Sequence, residues 1–394
     1  MSGIDLSPTP ADAPWLSNEQ LAFRETVVRF ARSELRPETA EAVERDRASG
    51  FWQEGWERCG RFGIQGLPVP AEHGGGGADV LTTMVGLEGL GYGCPDGGLV
   101  FSINAHMWSS EIPLWKHGSD EQRARWLPGL CSGRLVGIHA ITEPEAGSDA
   151  FAMSSRARQD GDDWVIHGRK TFITNATLAD LLIVFARTSE GTGPLGLTAF
   201  VVESGAPGLE VRHLEKMGLR TSPMGEVVLD GVRVAGGAVL GREGRGAQVF
   251  QTSMHWERAL IMSAQVGAMQ RITERSIKYA RERKQFGEAI GKFEAVAFRI
   301  ADMKLRLDAA RALLYRAGWI MDRGEDASAA AAEAKVFVSE ASVRTHLDAL
   351  QIHGGYGYLT EFEVERALRD ALGGTIYSGT SEIQRRLIAR HLGL

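Results

Sequence analysis

The stretch that most restricts the fold lies between Arg258 and Arg271, where residues 259–270 contain no charged side chain. A helix that is apolar nearly all round has to be buried among other helices. Further along the chain, apolar residues recur at alternating steps of three and four, the spacing of a helix-bundle core. They are Ile300, Met303, Leu307, Ala310, Leu314, Ala317 and Met321. These two patterns predict a buried helix bundle in residues 241–394.

Two regions with different sequence patterns precede the bundle. Residues 1–133 contain helical patterns broken by glycine and proline, such as SNEQLAFRETVVRFARSEL, which opens on a Ser-Asn cap. Residues 134–240 contain short β-rich runs separated by turn signals, and their spacing suggests a small antiparallel barrel or sandwich. We therefore expect an α protein with a central β domain, divided into residues 1–133, 134–240 and 241–394.

Composition excludes several classes of function. The net charge of −6 offers no basic field for nucleic acid or an anionic membrane. The polar, acidic start lacks a signal peptide, and no stretch is long and apolar enough to span a bilayer. The cysteines and histidines have no metal-ligand spacing. We expect a cytoplasmic protein with reduced thiols and no metal.

Three polar motifs each allow two interpretations. The glycines of EHGGGGAD (72–79) lack the context of a nucleotide loop and favour a flexible turn before a helix at Val80. The turn TEPEAGSDA (142–150) follows a strand and offers backbone N–H groups to an anion or planar ring, or else is an ordinary surface loop. The cationic RERKQFGEAIGKF (281–293) either grips a pyrophosphate or is a solvated helix end.

Glu257 stands at the start of the charge-free stretch. A buried carboxylate is costly to desolvate, and its pKa should rise. The simplest interpretation is an ion pair with Arg258, although adjacent helical side chains diverge and do not face each other.

Taken in order, six segments resemble the acyl-CoA dehydrogenase family of flavoproteins over essentially the whole chain. They are ITEPEAGSD, KTFITNA, RKQFGEAIGKF, QIHGGYGY, RALRDA and IYSGTSEIQRRLIAR. The resemblance implies an N-terminal helical domain, a middle β-barrel and a C-terminal four-helix bundle. It also implies FAD bound between the β domain and the bundle, in a homotetramer or homodimer.

The resemblance carries over to individual positions. It places the flavin and thioester turn at Ile141, Thr142 and Ser148, and the second flavin-facing strand at Phe172 and Thr174. It places contacts with a neighbouring subunit's FAD at Arg283 and Phe286, phosphate and adenine contacts at Gln351, Gly354 and Gly355, and closing contacts at Thr380 and Glu382. Glu294 stands where many members have glutamine. Substrate contacts are expected from Ser148, His255, Arg258, Tyr377 and Gly379.

The catalytic base is displaced from its commonest position. Many members carry a glutamate before the final Gly-Thr, but this chain has Ser378, whose hydroxyl is too weak a base. The branch that includes the isovaleryl- and long-chain enzymes instead keeps its glutamate on the first bundle helix, and HWERAL matches that setting. We expect Glu257 to remove the α-proton, with the Ser378 backbone N–H stabilising the thioester oxyanion.

The expected reaction is the α,β-dehydrogenation of an acyl thioester to a trans-2-enoyl thioester, with electrons passing to an electron-transfer flavoprotein. The sequence leaves open whether coenzyme A or a carrier protein holds the acyl group. His255 replaces a common aspartate near the pantetheine arm, and Gly373 and Gly374 are expected to widen the pocket. The alternatives are a flavin-dependent oxidase or monooxygenase of the same fold, and desaturation at another position of a carrier-bound chain.

Overall fold

The computed structural model describes residues 4–11, 13–190 and 193–394. The N-terminal part is helical and begins at a capping box, in which the Ser17 hydroxyl accepts from the Gln20 backbone N–H and the Gln20 side chain accepts from the Ser17 N–H. Its helices are α1 (Asn18–Glu34), α2 (Thr39–Arg47), α3 (Gln53–Phe62), α4 (Val80–Gly93), α5 (Gly97–His106), α6 (Ile112–His117) and α7 (Asp120–Cys131). The glycine-rich run 74–77 precedes α4, as the turn interpretation predicted.

The middle part is a single mixed sheet. Its strands are β1 (Gly137–Ala140), β2 (Arg156–Asp160), β3 (Asp163–Thr174), β4 (Leu181–Arg187), β5 (Leu197–Glu203), β6 (Leu209–His213), β7 (Met224–Ala235) and β8 (Val239–Leu240). They hydrogen-bond in the order β6-β7-β3-β2-β4-β5-β8, with β1 beside β4. The expectation of purely antiparallel pairing was wrong, because β1 runs parallel to β4 with Gly137 opposite Leu181. A tight hairpin cannot join parallel neighbours, and here β2 and β3 lie between them in sequence.

Strand β4 is buried on both faces, which explains its continuous apolar sequence. Leu182 and Val184 pack into a core with Trp164 of β3, on one side of the sheet. Ile183 and Phe185 pack on the opposite side, against residues of the helical parts. The sheet is therefore held between its own core and the surrounding helices.

The C-terminal part is a helix bundle that includes a short hairpin. Its elements are α8 (Gly246–Leu260), α9 (Ser263–Glu282), β9 (Lys284–Gln285), β10 (Glu288–Ala289), α10 (Glu294–Asp322), α11 (Ser328–His353), α12 (Val364–Leu372) and α13 (Ser381–His391). The predicted seam of α10 is confirmed, since Met303, Leu307 and Leu314 are fully buried. One hydrophobic core joins α4 to α9 and α10, so the first and last parts of the chain pack as one body.

The charge-free stretch forms two helices, whereas the sequence suggested one. Helix α8 ends at Leu260, and α9 begins at Ser263 after a two-residue step. Helix α9 then lies so close to α4 that a Cβ on Gly91 would stand 2.0 Å from the carbonyl oxygen of Ala264. The step allows this approach, and apolar periodicity could not reveal it because both pieces are buried.

Candidate active site

Two side chains 121 positions apart meet in the interior. The Ser378 hydroxyl donates a hydrogen bond of 2.5 Å to Oε1 of Glu257, which is 9% exposed. Glu257 lies in the last turn of α8, so the expectation that it stands at the head of a long helix was wrong. The step between α8 and α9 accounts for the difference, because it ends the first helix just beyond this residue.

The environment of Glu257 favours a proton acceptor. Burial raises the pKa of this carboxyl, while the Ser378 hydroxyl and the charges of Arg258 and Lys335 lower it by less. The negative end of the α8 dipole also disfavours the ionised form. Within the described residues, no ion pair joins Glu257 to Arg258, and Nε of Arg258 is buried without a hydrogen-bond partner. The simple pairing of these neighbours is therefore absent.

Two side chains hold the turn that carries Ser378 in place. Ser378 and Gly379 both have left-handed backbones, with φ of 58° and 88°. Lys335 donates a hydrogen bond of 2.7 Å to the Gly379 carbonyl, and Gln384 donates to the carbonyls of Ser378 and Gly379 at 3.1 and 3.0 Å. Among the hydrogen bonds of the described residues, none uses the Ser378 backbone N–H. The turn thus presents a free donor beside the Glu257 carboxylate.

Lys335 was not predicted to be a residue of the site. Its side chain is fully buried, and burial lowers its pKa to about 8 although Glu257 pulls it upward. A signal was present, because Ala331, Lys335 and Val338 lie four and three residues apart on the apolar face of α11. A lysine on a core face requires a buried acceptor, which here is the final turn.

The predicted flavin turn is fixed by a buried ion pair. Lys170 lies 2.8 Å from Glu143 and donates to the carbonyl of Ile141 at 3.3 Å, while the Thr171 N–H donates to the carbonyl of Thr142 at 2.9 Å. These contacts fasten the turn to β3. Ser148 lies on the exposed outer part of the same turn.

Strand β3 offers an uncovered aromatic ring at this end of the sheet. Phe172 has a left-handed φ of 57° and remains 64% exposed, and Thr174 ends the strand two residues later. Residues held in strained backbone conformations cluster at ligand-binding and active sites, so Phe172 is a candidate contact.

Three of the remaining cofactor positions line a separate groove of about 590 Å³. Its wall includes Arg283, Gly354 and Gly355, so the structure brings together two segments that lie far apart in sequence. Phe286, at the β9–β10 turn, is 95% exposed, and Gln351 is exposed one turn before Gly354.

The last predicted contacts surround the start of two helices. Thr380 caps α13, where its hydroxyl accepts from the Ile383 N–H, and Glu382 is exposed in the first turn. Glu294 is the first residue of α10 and is also exposed. His255 is partly buried on α8, and burial lowers its pKa despite the nearby charge of Asp326.

Tyr377 lies against the site through two contacts. Its ring packs on Phe101 with centroids 4.5 Å apart, and its hydroxyl accepts a hydrogen bond of 2.9 Å from Gln265. A Cβ on Gly374 would stand 3.0 Å from Nε2 of Gln265. The Gln265 amide thus lies directly beside Gly374, and the widening of the pocket by Gly373 and Gly374 stays a prediction.

The described part of the chain lacks both a membrane-spanning helix and a metal-ligand cluster. No helix there is long and apolar enough to cross a membrane. No group of three or more potential metal ligands was found in the same residues. The cysteines Cys59, Cys94 and Cys131 are free and buried.

Comparison with protein families gives three successive matches. Residues 17–134, 139–232 and 244–393 match the N-terminal, middle and C-terminal domains of acyl-CoA dehydrogenase. The chain belongs to the acyl-CoA dehydrogenase family. The helical, β and helical parts of this acyl-CoA dehydrogenase family member thus have the fold that the sequence motifs implied.

Relatives in this family include enzymes named for carrier-bound substrates. The chain is 44% identical over 341 residues to an L-prolyl-[peptidyl-carrier protein] dehydrogenase of Pseudomonas fluorescens, covering 86% of this chain and 90% of that protein. The solved structure of the prolyl acyl carrier protein oxidase AnaB is 45% identical, with a TM-score of 0.93 over 96% of this chain and 100% of that one. A structure described as PigA with FAD and proline is 39% identical, with a TM-score of 0.93 over 96% and 98%.

Proposed function

We propose that this protein is an FAD-dependent dehydrogenase that introduces an α,β double bond into an acyl thioester, with Glu257 as the base. The observation that carries the proposal is the buried Glu257 carboxylate beside the Ser378 turn. A carboxyl whose pKa is raised by burial is better matched to proton abstraction near neutral pH than an exposed one. The domain limits at residues 133/134 and 240/241 and a cytoplasmic location are parts of the same proposal.

The residues present fit FAD. Phe172, Phe286 and the outward-facing Arg283 are exposed groups that a bound flavin dinucleotide would cover. We assign the ring region to Ile141, Thr142, Ser148, Phe172 and Thr174, and the closing contacts to Thr380 and Glu382. The groove of Arg283 and Gly354 would hold the diphosphate end, together with Phe286, Gln351 and Gly355. In our proposal the protein is a homotetramer, in which the exposed Arg283 and Phe286 reach the FAD bound by a neighbouring subunit.

Bound FAD would supply the acceptor for the hydride that leaves Cβ. The protein's own contribution begins with Glu257, which takes the proton from Cα after its carboxylate turns from Ser378 towards the substrate. The free Ser378 N–H donates to the thioester oxygen as negative charge develops there, and loss of one such donor typically costs about a hundredfold in rate. Lys335 and Gln384 hold the turn so that this N–H stays in place.

For the substrate we favour a carrier-bound acyl group, because relatives with 39–45% identity are named for prolyl carrier proteins. A carrier presents the pantetheine arm without the adenosine end of coenzyme A. We place His255 and Arg258 on the approach of that arm, and Tyr377 and Gly379 beside the acyl group. The electron acceptor in this proposal is an electron-transfer flavoprotein.

The test is anaerobic bleaching of the oxidised flavin by prolyl-carrier protein and by acyl-CoAs. Glu257→Gln keeps an acceptor for the Ser378 hydroxyl, so it should fold and retain FAD. Its bleaching should be slower by about 10²–10⁴-fold, the usual contribution of a general base. Glu333→Gln, a change at a partly exposed position of α11 whose native side chain pairs with Arg316, is the matched control and should bleach normally.

Three outcomes would count against the proposal. Normal bleaching of the Glu257→Gln enzyme would refute the assignment of Glu257 as the base. Bleaching by acyl-CoA alone would refute the assignment of a carrier-bound substrate. Rapid release of hydrogen peroxide on readmission of air would favour an oxidase.

A further inference from the structure

A cavity extends from the candidate active site into the bundle. Its volume is about 70 Å³, residues of α5, α9, α11 and α12 line it, and Tyr377, the neighbour of Ser378, forms part of its wall. Val100, Phe101 and Ile261 make the adjacent wall apolar. An acyl chain attached to a thioester beside Glu257 would enter this space.

One polar group in the cavity has an unused acceptor. Gln265 donates from Nε2 to the Tyr377 hydroxyl at 2.9 Å, and this contact fixes the side-chain amide. Its oxygen, Oε1, is buried and has no hydrogen-bond partner among the described residues. Leaving a buried acceptor unpaired is unfavourable, so an unpaired one calls for an explanation.

The local backbone makes room for this amide. A Cβ on Gly374 would stand 3.0 Å from Nε2 and 3.4 Å from Oε1 of Gln265, closer than side chains normally approach. A side chain at position 374 would therefore force the Gln265 amide to shift by a few tenths of an ångström. The position of the Gln265 amide therefore depends on the absence of a side chain at Gly374.

Other polar side chains also line the cavity. Burial lowers the pKa of His346 to about 4, and its Nδ1 lies 2.8 Å from the Ser342 carbonyl, which leaves Nε2 as an acceptor. The carboxylate of Asp370 accepts the Leu219 N–H at 2.5 Å. Arg271 also lines the cavity, but its Nη1 is bound to the carbonyls of Tyr92 and Cys94.

We propose that Gln265 determines substrate specificity by accepting a hydrogen bond from an N–H of the acyl group. The substrate class is then an aminoacyl thioester, in preference to an all-carbon acyl thioester of the same shape. This inference rests on the proposed function, because it places the acyl group in the cavity beyond Glu257. Neither the base nor the Ser378 turn is altered by it.

The experiment compares two carrier-bound acyl groups in the FAD-loaded enzyme. One is prolyl and the other is cyclopentanecarbonyl, in which a methylene replaces the ring N–H. Gln265→Met has nearly the same length but no carbonyl acceptor, and Gln265→Leu is a second variant with the same loss. Gln248→Leu, an exposed change on α8, is the control.

Wild-type enzyme should bleach with a lower half-saturating concentration of prolyl than of cyclopentanecarbonyl carrier. Both Gln265 variants should lose about tenfold or more in kcat/KM for prolyl and change little for cyclopentanecarbonyl, since one hydrogen bond is removed. The Gln248→Leu enzyme should keep the wild-type ratio.

The outcomes separate the two proposals. If no thioester bleaches the wild-type flavin, the proposed function fails. If prolyl carrier bleaches the flavin but the Gln265 variants keep the wild-type ratio, only the role of Gln265 is overturned. Should both variants lose FAD, equal half-saturating concentrations of the two substrates for the wild-type enzyme would overturn it.

Discussion

The hydrogen bond between Ser378 and Glu257 makes a quantitative prediction about pH dependence. In Ser378→Ala the hydroxyl is lost, while the backbone N–H that we assign to the thioester oxygen remains. The hydroxyl donates to the ionised carboxylate, so its presence lowers the pKa of Glu257 against the larger effect of burial, which raises it. Removing it should raise that pKa further.

The size of the shift follows from the kind of hydrogen bond. A bond to a charged group contributes about 1.5–3 kcal/mol, and one pKa unit corresponds to about 1.36 kcal/mol. We therefore expect the pKa of Glu257 to rise by about one to two units. Because the base acts in its ionised form, the acidic limb of the rate profile should move to higher pH by that amount. The rate on the alkaline plateau should remain close to wild type.

The assay is the second-order rate of anaerobic flavin bleaching, measured against pH for the wild-type, Ser378→Ala and Ser378→Gly enzymes. Both variants lose the hydroxyl and should show the same pH shift. Glycine also removes the cost of about 1–2 kcal/mol that a residue with a Cβ pays at a left-handed φ, so the glycine variant should be the more stable to urea. Unchanged midpoints in both variants would refute the contact, and loss of bleaching at every pH would mean that the hydroxyl itself takes part in the reaction.

Two further predictions concern buried lysines. Lys335→Met removes the donor to the Gly379 carbonyl and a positive charge near Glu257. The free energy of unfolding measured in urea should fall by about 1.5–3 kcal/mol, and the acidic limb of the bleaching-rate profile should move to higher pH. An unchanged acidic limb would contradict the electrostatic role of Lys335. Glu143→Gln leaves Lys170 buried without its partner and should cost about 3–5 kcal/mol at pH 7. Burial alone would raise the pKa of Glu143, but Lys170 and nearby hydroxyls lower it to about 2 from 4.5, so its stabilisation is complete above pH 4.5 and is lost towards pH 2. Urea titrations of the variant and wild type should converge over that range, and a constant difference would contradict the assignment.

Helices and their buried faces were predictable because their apolar spacing survives in the sequence. The seam from Met303 to Leu314 in α10 is an example, and it lies in the core as expected. The step after Leu260 was not predictable, because both sides of it are apolar and it depends on how closely α9 approaches Gly91 of α4. The parallel pairing of β1 with β4 likewise depends on long-range contacts that no local pattern records.

In the candidate site, the sequence pointed to Glu257 and missed the side chains that hold the turn beside it. Glu257 was found because a carboxylate beside a charge-free stretch is unusual, and the family resemblance pointed to the same position. Lys335 and Gln384 act through backbone carbonyls of the final turn, and such contacts have no sequence signature. The catalytic role of Glu257, the cofactor contacts and the domain limits stay predictions until they are measured.

The break at Ile261 and Met262 places two proposed functions on separate helices. The group that we assign to proton removal belongs to α8, whereas the group that we assign to recognition of the acyl chain belongs to α9. Mutations on the second helix can therefore alter which molecules are accepted while the chemistry is inherited unchanged. Proteins with this arrangement can therefore evolve to accept other substrates while they keep the same reaction.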